Sequence, residues 1–357
     1  MDRKTGWGLQ SAASSSNPSR GDLASIQYLR AAAALAVLVF HAADRAGLRF
    51  GAGAAGVDVF FVISGFIMWV IGARGAPTPL DFLRRRAQRI APLYWLVTLG
   101  LVGAFLVAPG VFRHLQPTPG HVALSLAFVP HADPRGHVAP LVEPGWTLNF
   151  EVFFYVVFAA CLAAPRALRL GVLSGVLVGL TLLGAVLAPK GPIAQTYTSP
   201  LLLEFLAGVW IGWAWQRGLC PGPRLASVLL VAGIFALVAL ELTAVDVAPL
   251  RAFLWGAPAV AIVWGALGLE RAGKTPDWPV ARLLGDASYS IYLVHGLAIA
   301  VALRLASWLG LSTGLTIVGS IAAGLIGGLL CFGLVERPVS KLLHRRPTSV
   351  TIAPSKG

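Results

Sequence analysis

The sequence predicts an all-α protein that lies in a membrane and crosses it about ten times. Apolar residues make up 57% of the 357 residues, whereas charged residues make up only 12%. The mean hydropathy of the chain is +0.76. A soluble domain of this size has too little interior to hide so much apolar surface. Most side chains must therefore face a lipid bilayer, and the chain is predicted to be a polytopic integral membrane protein.

Ten stretches of the sequence are long and apolar enough to form membrane-spanning helices. A span requires roughly 20 apolar residues, because the hydrocarbon layer is about 30 Å thick. Windows of this length predict spans at about 24–43, 54–73, 90–109, 146–164, 168–188, 199–216, 225–243, 250–269, 285–308 and 313–335. All ten belong to one membrane domain, predicted at residues 24–343.

The basic residues predict the orientation of these spans. If the N-terminus is cytoplasmic, Lys and Arg residues favour the cytoplasmic side by about three to one. This bias predicts that both termini are cytoplasmic. Segments 1–23 and 344–357 are polar and are predicted to be disordered tails. No signal-peptide cleavage site follows the first apolar run, and we expect no second, soluble domain.

The composition argues against several other kinds of partner. The net charge is +13, but nucleic-acid binding requires basic residues on one surface, and here they lie between apolar runs. No disulfide or metal motif is formed by the three cysteines, Cys161, Cys220 and Cys331. No metal-ligand spacing is matched by the histidines of the longest loop, His114, His121, His131 and His137. We therefore expect no nucleic acid and no metal ion.

An arginine and a histidine occur together in the first predicted span. Arg30 and His41 are eleven residues apart, which on a helix is about 16 Å and close to three turns. Both side chains therefore lie on one face. One interpretation is that Arg30 holds a phosphate-bearing donor whose long arm reaches His41. The alternative is a snorkelling arginine and a histidine that is hydrogen-bonded between helices.

Further arginines precede the third predicted span. Arg85, Arg86 and Arg89 have helical spacing within "FLRRRAQRIAPLYW". Guanidinium groups suit the phosphates of a nucleotide or a lipid. The pattern alone favours a topological role, in which basic residues stop the helix at the anionic inner leaflet.

Two other spans contain polar side chains that are suited to chemistry. Glu151 lies in an otherwise apolar span, where a carboxylate must be protonated, paired or exposed to water. It is a candidate to polarise a histidine, to bind a sugar hydroxyl, or to serve as a structural partner. Ser64 lies in the second span with Asp58. No base is evident near Ser64 in the sequence, so we expect it to have a packing role.

The last two predicted spans add a second histidine and an acidic residue. His295 follows Tyr292 within "SYSIYLVHG", and either a catalytic or an interhelical structural role fits it. Glu336 and Arg337 are adjacent at the end of the tenth span. The simplest expectation for this pair is a salt bridge that closes the span.

Six of these features, taken in order, resemble the membrane acyltransferase-3 family. They are the Arg30-to-His41 spacing, "GVDVFFVISGF", the Arg86-x-x-Arg89 pair, "WTLNFEVFFY", "SYSIYLVH" and "VERP". The resemblance covers residues 24–343, and three motifs are most similar to the branch that acetylates bacterial exopolysaccharides. Thr147 stands where the family often has serine.

The resemblance implies an enzyme that moves an acyl group, usually acetyl, from acyl-CoA to a carbohydrate hydroxyl. Acyl-CoA is then a donor substrate, and no permanently bound cofactor is expected. His41 becomes the expected general base, with Glu151 holding the imidazole or the sugar. The phosphates of the donor are assigned to Arg30, Arg86 and Arg89. The substrate-binding residues are expected to be Tyr155, Tyr292 and His295.

The resemblance also implies a location and partners. We expect a multi-pass protein of the bacterial inner membrane that acts on a polysaccharide or lipid-linked oligosaccharide, together with polysaccharide-assembly proteins. A covalent acyl-histidine is the less favoured variant of the mechanism. The alternative function is a transporter or flippase of lipid-linked sugars. Such proteins often have two similar halves, but the Arg30–His41 pair has no counterpart in spans six to ten.

Overall fold

The computed structural model describes residues 23–73, 77–110 and 115–343, and these form an all-α protein, as predicted. The β-type pairing within them is one isolated bridge between Ala132 and Val138. The predicted tails lie outside the described residues except for Leu23. The α-helices are α1 (Ala24–Arg45), α2 (Gly56–Ala73), α3 (Pro79–Val107), α4 (Pro119–Leu126), α5 (Trp146–Leu162), α6 (Arg166–Leu187), α7 (Pro192–Tyr197), α8 (Leu202–Gln216), α9 (Pro223–Thr243), α10 (Arg251–Leu254), α11 (Gly256–Arg271), α12 (Pro279–Asp286), α13 (Ser288–Leu309), α14 (Thr313–Cys331) and α15 (Arg337–Leu343).

Nine helical segments of the described residues are long and apolar enough to cross a membrane. They match nine of the ten predicted spans, with α10 and α11 together forming one of them. The remaining prediction, at 199–216, corresponds to α8, which has 15 residues and is therefore about 22 Å long. The prediction of a polytopic α-helical membrane protein is confirmed.

The short helix α8 is held against α2 by two glycines. A Cβ atom added to Gly65 would lie 1.9 Å from the carbonyl oxygen of Phe205, and one added to Gly208 would lie 2.0 Å from that of Val62. No side chain fits at such distances, so glycine at both positions allows the two backbones to touch. This contact fixes α2, which carries Ser64 into the centre of the protein.

The helices divide into a central set and a lipid-facing set. In α1, α2 and α5, half or more of the apolar window is buried by the rest of the protein, whereas in α6 and α9 the buried share is 11%. In a bilayer, a helix surface that the protein leaves uncovered faces lipid. Polar residues of the central helices are therefore the candidates for function.

Helix α3 begins eleven residues before its predicted span and includes the arginine cluster. The Thr78 hydroxyl accepts a hydrogen bond from the backbone N–H of Asp81 (3.1 Å), and Pro79 occupies the first turn. Both are favourable signals for the start of a helix. Arg86 and Arg89 therefore project from a regular helix and are neighbours on its surface, because they are three residues apart.

Between α3 and α5, the described residues 108–110 and 115–145 contain one short α-helix, α4. The Trp95 indole N–H donates to the Leu126 carbonyl (2.8 Å) and attaches α4 to α3. The rings of His121 and His131 are both buried, with centroids 4.9 Å apart. Burial lowers the pKa of the His121 imidazole, so this ring is neutral near pH 7. His114 lies outside the described residues.

Candidate active site

A cavity of about 320 Å³ lies among α1, α2, α3, α5 and α13. One end is polar and includes Arg30, near the start of α1. The other end is apolar and includes Val57, near the start of α2. The short connection between these helices makes them antiparallel. In addition, a Cβ atom at Gly56 would lie 2.5 Å from the Ala33 carbonyl, so Val57 is level with the residues one turn after Arg30. Tyr292 also lines the cavity, and its ring lies 5.9 Å from that of His295, which in turn lies 5.0 Å from that of His41. The wall that contains Tyr292 is therefore the side of the cavity nearest to His41.

The three arginines predicted to bind a donor, Arg30, Arg86 and Arg89, all line the polar end of this cavity. The Arg89 side chain is 34% exposed, so the protein does not fully enclose this end. The Arg86 Nε atom is buried and has no hydrogen-bond partner among the described residues. A buried guanidinium N–H without an acceptor favours an anion. We call this region the arginine end.

Glu336 belongs to the arginine end. Its carboxylate accepts hydrogen bonds from Arg89 Nη1 (2.5 Å) and from the Ser290 hydroxyl (2.5 Å). The expectation that Glu336 closes the tenth span with Arg337 is therefore wrong. Residues Phe332–Glu336 form a π-helical turn, and turns of this kind often occur at functional sites. Here the turn lies next to the carboxylate that reaches across to α3.

Glu151 lies on the wall of the cavity next to two hydroxyl groups. Its Oε1 atom accepts a hydrogen bond from Ser64 Oγ (3.3 Å) and a short one from the Tyr155 hydroxyl. Tyr155 follows Glu151 by one helical turn, so both face the same way on α5. The hydrogen bonds of Glu151 are thus within the cavity rather than to His41. Ser64 has a carboxylate neighbour that the sequence alone did not reveal.

His41 and His295 lie together beyond the apolar end of the cavity. Their ring centroids are 5.0 Å apart. The Nδ1 atom of His295 lies 2.6 Å from the carbonyl oxygen of Tyr292. A carbonyl can only accept, so Nδ1 carries the proton and Nε2 of the neutral ring is an acceptor. We call this region the histidine end.

A salt bridge lies close to the histidine pair. Arg45 donates to the Gly296 carbonyl (2.9 Å) and is 3.4 Å from Glu143. The Arg45 contact joins the last turn of α1 to α13, directly after His295. A cation and an anion therefore lie in the same region as the imidazole rings of His41 and His295.

Tyr292 separates the cavity from the histidine pair. Its ring lines the cavity, makes an edge contact with Phe60 (5.7 Å between centroids) and lies 5.9 Å from the His295 ring. Its hydroxyl donates to Thr147 Oγ1 (3.1 Å). Of the predicted substrate-binding residues, Tyr155 and Tyr292 therefore line the cavity, and His295 lies next to His41.

A buried charged cluster was not anticipated from the sequence. Arg251 forms an ion pair with the fully buried Asp58 (3.0 Å), and its guanidinium lies over the rings of Trp146 and Trp255. Glu204 is buried beside Asp58. The sequence feature that could have indicated this cluster is Asp58, because a carboxylate inside a span requires a partner.

Among the described residues, no group of three or more His, Cys, Asp or Glu side chains is arranged to hold a metal ion.

Comparison with known proteins identifies the family. The model of the acyltransferase domain matches residues 23–335. The chain belongs to the acyltransferase-3 family. It is therefore a membrane acyltransferase, and the resemblance carried by the six motifs is confirmed.

Three relatives of this acyltransferase illustrate the range of the family. The chain is 42% identical to the exopolysaccharide production protein ExoZ of Rhizobium meliloti (strain 1021), over 88% of this chain and 98% of ExoZ. It is 28% identical to the acyltransferase MdmB of Streptomyces mycarofaciens, over 91% and 93%. It is 26% identical to the peptidoglycan O-acetyltransferase OatA of Listeria monocytogenes, over 78% of this chain and 49% of OatA. No solved structure matches the chain.

Proposed function

We propose that this acyltransferase moves an acetyl group from acetyl-CoA to a hydroxyl of a cell-surface carbohydrate, an exopolysaccharide in particular. The observation that carries the proposal is the cavity between the arginine end and the histidine end. This reaction needs a binding site for an anionic donor and a group that accepts a proton. The arginine end supplies the first, and the histidine end supplies the second. The carbohydrate acceptor is inferred from the names of ExoZ and OatA, which refer to exopolysaccharide production and peptidoglycan O-acetylation.

The arginine end is suited to the phosphates of CoA. Three guanidinium groups face one pair of carboxylates there, Glu151 and Glu336, so the region is positive when all are ionised. Arg89 is already paired with Glu336. We therefore assign the main phosphate contact to Arg86, with Arg30 as a second contact in the same cavity. The pantetheine arm then extends along the apolar part of the cavity and brings the thioester towards His41.

The chemistry at the histidine end requires one proton acceptor. His41 takes the proton of the acceptor hydroxyl while the oxygen attacks the thioester carbonyl carbon. The carbon–sulfur bond then breaks, and the CoA thiolate takes up the proton from the imidazolium. The products are an ester and CoA, and no covalent enzyme intermediate is needed.

Glu151 is assigned to positioning the donor in the cavity. Its bonds to Ser64 and Tyr155 join α2 to α5 beside Arg86. A carboxylate at this position orients the neighbouring hydroxyls and balances part of the arginine charge. It is thus a positioning group for the donor, at a distance from the imidazole of His41.

The proposal includes a location and partners. With both termini in the cytoplasm of a bacterial inner membrane, the arginine end faces the cytoplasm, where acyl-CoA is present. The histidine end is then towards the opposite face, with the polysaccharide-assembly proteins that deliver the acceptor.

The experiment is acetyl transfer from labelled acetyl-CoA to the surface glycan of cells or membrane vesicles. Wild type is compared with His41→Ala at matched membrane expression. His137→Ala is the matched control, because that histidine lies in the loop and its side chain is 73% exposed. We expect labelling by wild type and by the control, and none by His41→Ala. Equal labelling by all three removes His41 from the chemistry. No labelling by any of them, with impaired glycan export, contradicts acyl transfer and favours the flippase.

A further inference from the structure

We propose that Phe60 and Tyr292 restrict the transferred group to a short, uncharged acyl chain, so that acetyl is accepted and butyryl and succinyl are rejected. This inference rests on the proposed function, because it concerns the donor of the same reaction. It adds two specificity-determining side chains and a chemical class of acyl group.

The rings of Phe60 and Tyr292 lie between the cavity and the histidine pair. Both line the apolar end of the cavity and contact each other at 5.7 Å between centroids. Tyr292 is next to His295, and His295 is next to His41. Neither histidine lines the cavity itself. A thioester that approaches His41 from the arginine end therefore meets the Phe60–Tyr292 pair first.

The Tyr292 side chain is buried and is hydrogen-bonded through its hydroxyl. Its hydroxyl donates to Thr147 Oγ1, and Thr147 Oγ1 donates to the Pro144 carbonyl at 2.9 Å. The backbone carbonyl of Tyr292 accepts from His295. The side chain is 92% buried, since its relative exposure is 8%. A buried ring that is hydrogen-bonded through its hydroxyl keeps its position in a packed interior, so it limits the space beside it.

The cavity wall around Phe60 and Tyr292 offers no partner for a charged acyl group. Val57, Phe61 and Leu148 line the same end of the cavity and have no polar side-chain atoms. The hydroxyls of Thr147 and Tyr292 also lie there, but each already donates its proton to another protein atom. The nearby cation Arg251 is already paired with Asp58. A succinyl carboxylate placed here would lose its hydration without gaining a free donor, which is strongly unfavourable. A butyryl chain lacks this cost, and it is rejected only by its length.

The test is a set of acyl-transfer rates with acetyl-, butyryl- and succinyl-CoA in membranes of matched expression. The variants are Phe60→Ala, the milder Phe60→Leu, and Tyr292→Phe, which keeps the ring. Phe158→Ala is the matched control, because that ring is buried but lies outside the cavity. The butyryl-to-acetyl ratio is the readout, because it does not depend on the amount of folded protein.

We expect Phe60→Ala to raise the butyryl-to-acetyl ratio of kcat/KM by about 10-fold or more, since one methylene in a tight pocket changes this ratio by roughly 10–200-fold. Phe60→Leu should give a smaller rise, and so should Tyr292→Phe, because it releases the ring from Thr147. Phe158→Ala should leave the ratio unchanged. Succinyl-CoA should stay a poor donor throughout.

Two results would overturn the inference alone. The first is a wild type that uses butyryl- or succinyl-CoA as well as acetyl-CoA. The second is a Phe60→Ala variant whose rates fall equally for all donors, or whose ratio changes no more than that of Phe158→Ala. Absence of transfer from every acyl-CoA in wild type is a different outcome, because it contradicts the proposed function as well.

Discussion

The arginine end and the histidine end of the site differ in charge. Arg89 at the first end sits among further cations. The ion pair beside His41 and His295, Arg45 with Glu143, is neutral overall. A positive region binds an anion, whereas a region without net charge suits proton transfer by an imidazole. Changes at one end should therefore affect binding, and changes at the other should affect the chemical step.

The largest expected effect is at the histidine end. His41→Ala removes the proposed base, and we expect kcat to fall by roughly 100- to 10,000-fold, the range found for general bases. The KM for acetyl-CoA should change little, because the arginine end is intact. Steady-state kinetics in membranes or detergent measure both values. His295→Gln leaves the base in place and should cause a smaller loss. A rise in KM without a fall in kcat would contradict the division between the ends.

The next effect is at the arginine end. Arg86→Ala should raise the KM for acetyl-CoA roughly 10- to 100-fold, because a hydrogen bond to a charged group contributes about 1.5–3 kcal/mol. The kcat should be retained at saturating donor. Arg85→Ala is the matched control, since Arg85 is the exposed neighbour on the same helix. Arg86→Lys keeps the charge but not the fork, and should recover part of the affinity. Equal behaviour of the Arg85 and Arg86 variants would argue against a donor contact.

A third effect concerns the support of the arginine end. Glu336→Gln weakens the contact that joins α3 to the end of the tenth span, and we expect a loss of about 2 kcal/mol in the free energy of unfolding. Thermal unfolding of the detergent-purified protein measures it as a lower Tm. Asp277→Asn is the control, because the Asp277–Arg282 pair is exposed and such pairs contribute only about 0–1 kcal/mol. A similar Tm for both variants would mean that Glu336 is not a structural support.

The smallest effect is expected at the cavity wall between the two ends. Tyr155→Phe removes one of the two hydroxyls bonded to Glu151, and a net hydrogen bond contributes about 1 kcal/mol. We expect a reduction in kcat/KM of roughly fivefold or less, carried by KM. Tyr197→Phe is the control, because Tyr197 stacks on Phe153 outside the cavity. A large fall in kcat would instead give Tyr155 a direct part in the chemical step.

The sequence predicted what depends on local patterns. Long apolar runs gave nine of the spans, because a bilayer requires a minimum length of apolar helix. The spacing of Arg30 and His41 predicted two polar positions on one face of α1, because helical periodicity is fixed. Helix α8 was predicted three residues too long, because it begins at Leu202 after turns at Ser199 and Pro200 that hydropathy does not report.

The sequence could not predict pairs that form between distant helices. Arg89 and Glu336 are 247 residues apart, and Asp58 and Arg251 are 193 apart. Neither partner was evident locally: Glu336 had Arg337 as a neighbour, and Arg251 was the second residue of the predicted span 250–269. Ser64 and Glu151, 87 residues apart, show the same limit. Such partners follow from how the helices pack, which no single stretch of sequence specifies.

The most direct test of the account is the affinity of the purified protein for CoA without an acyl group. Calorimetry or a thermal-shift titration gives Kd for wild type, His41→Ala and Arg86→Ala in the same detergent. If one CoA molecule extends from the arginine end towards the histidine end, His41→Ala should bind CoA as wild type does, and Arg86→Ala should bind it at least about 10-fold more weakly. Equal loss in both variants, or wild-type affinity in Arg86→Ala, would contradict the separation of donor binding from proton transfer.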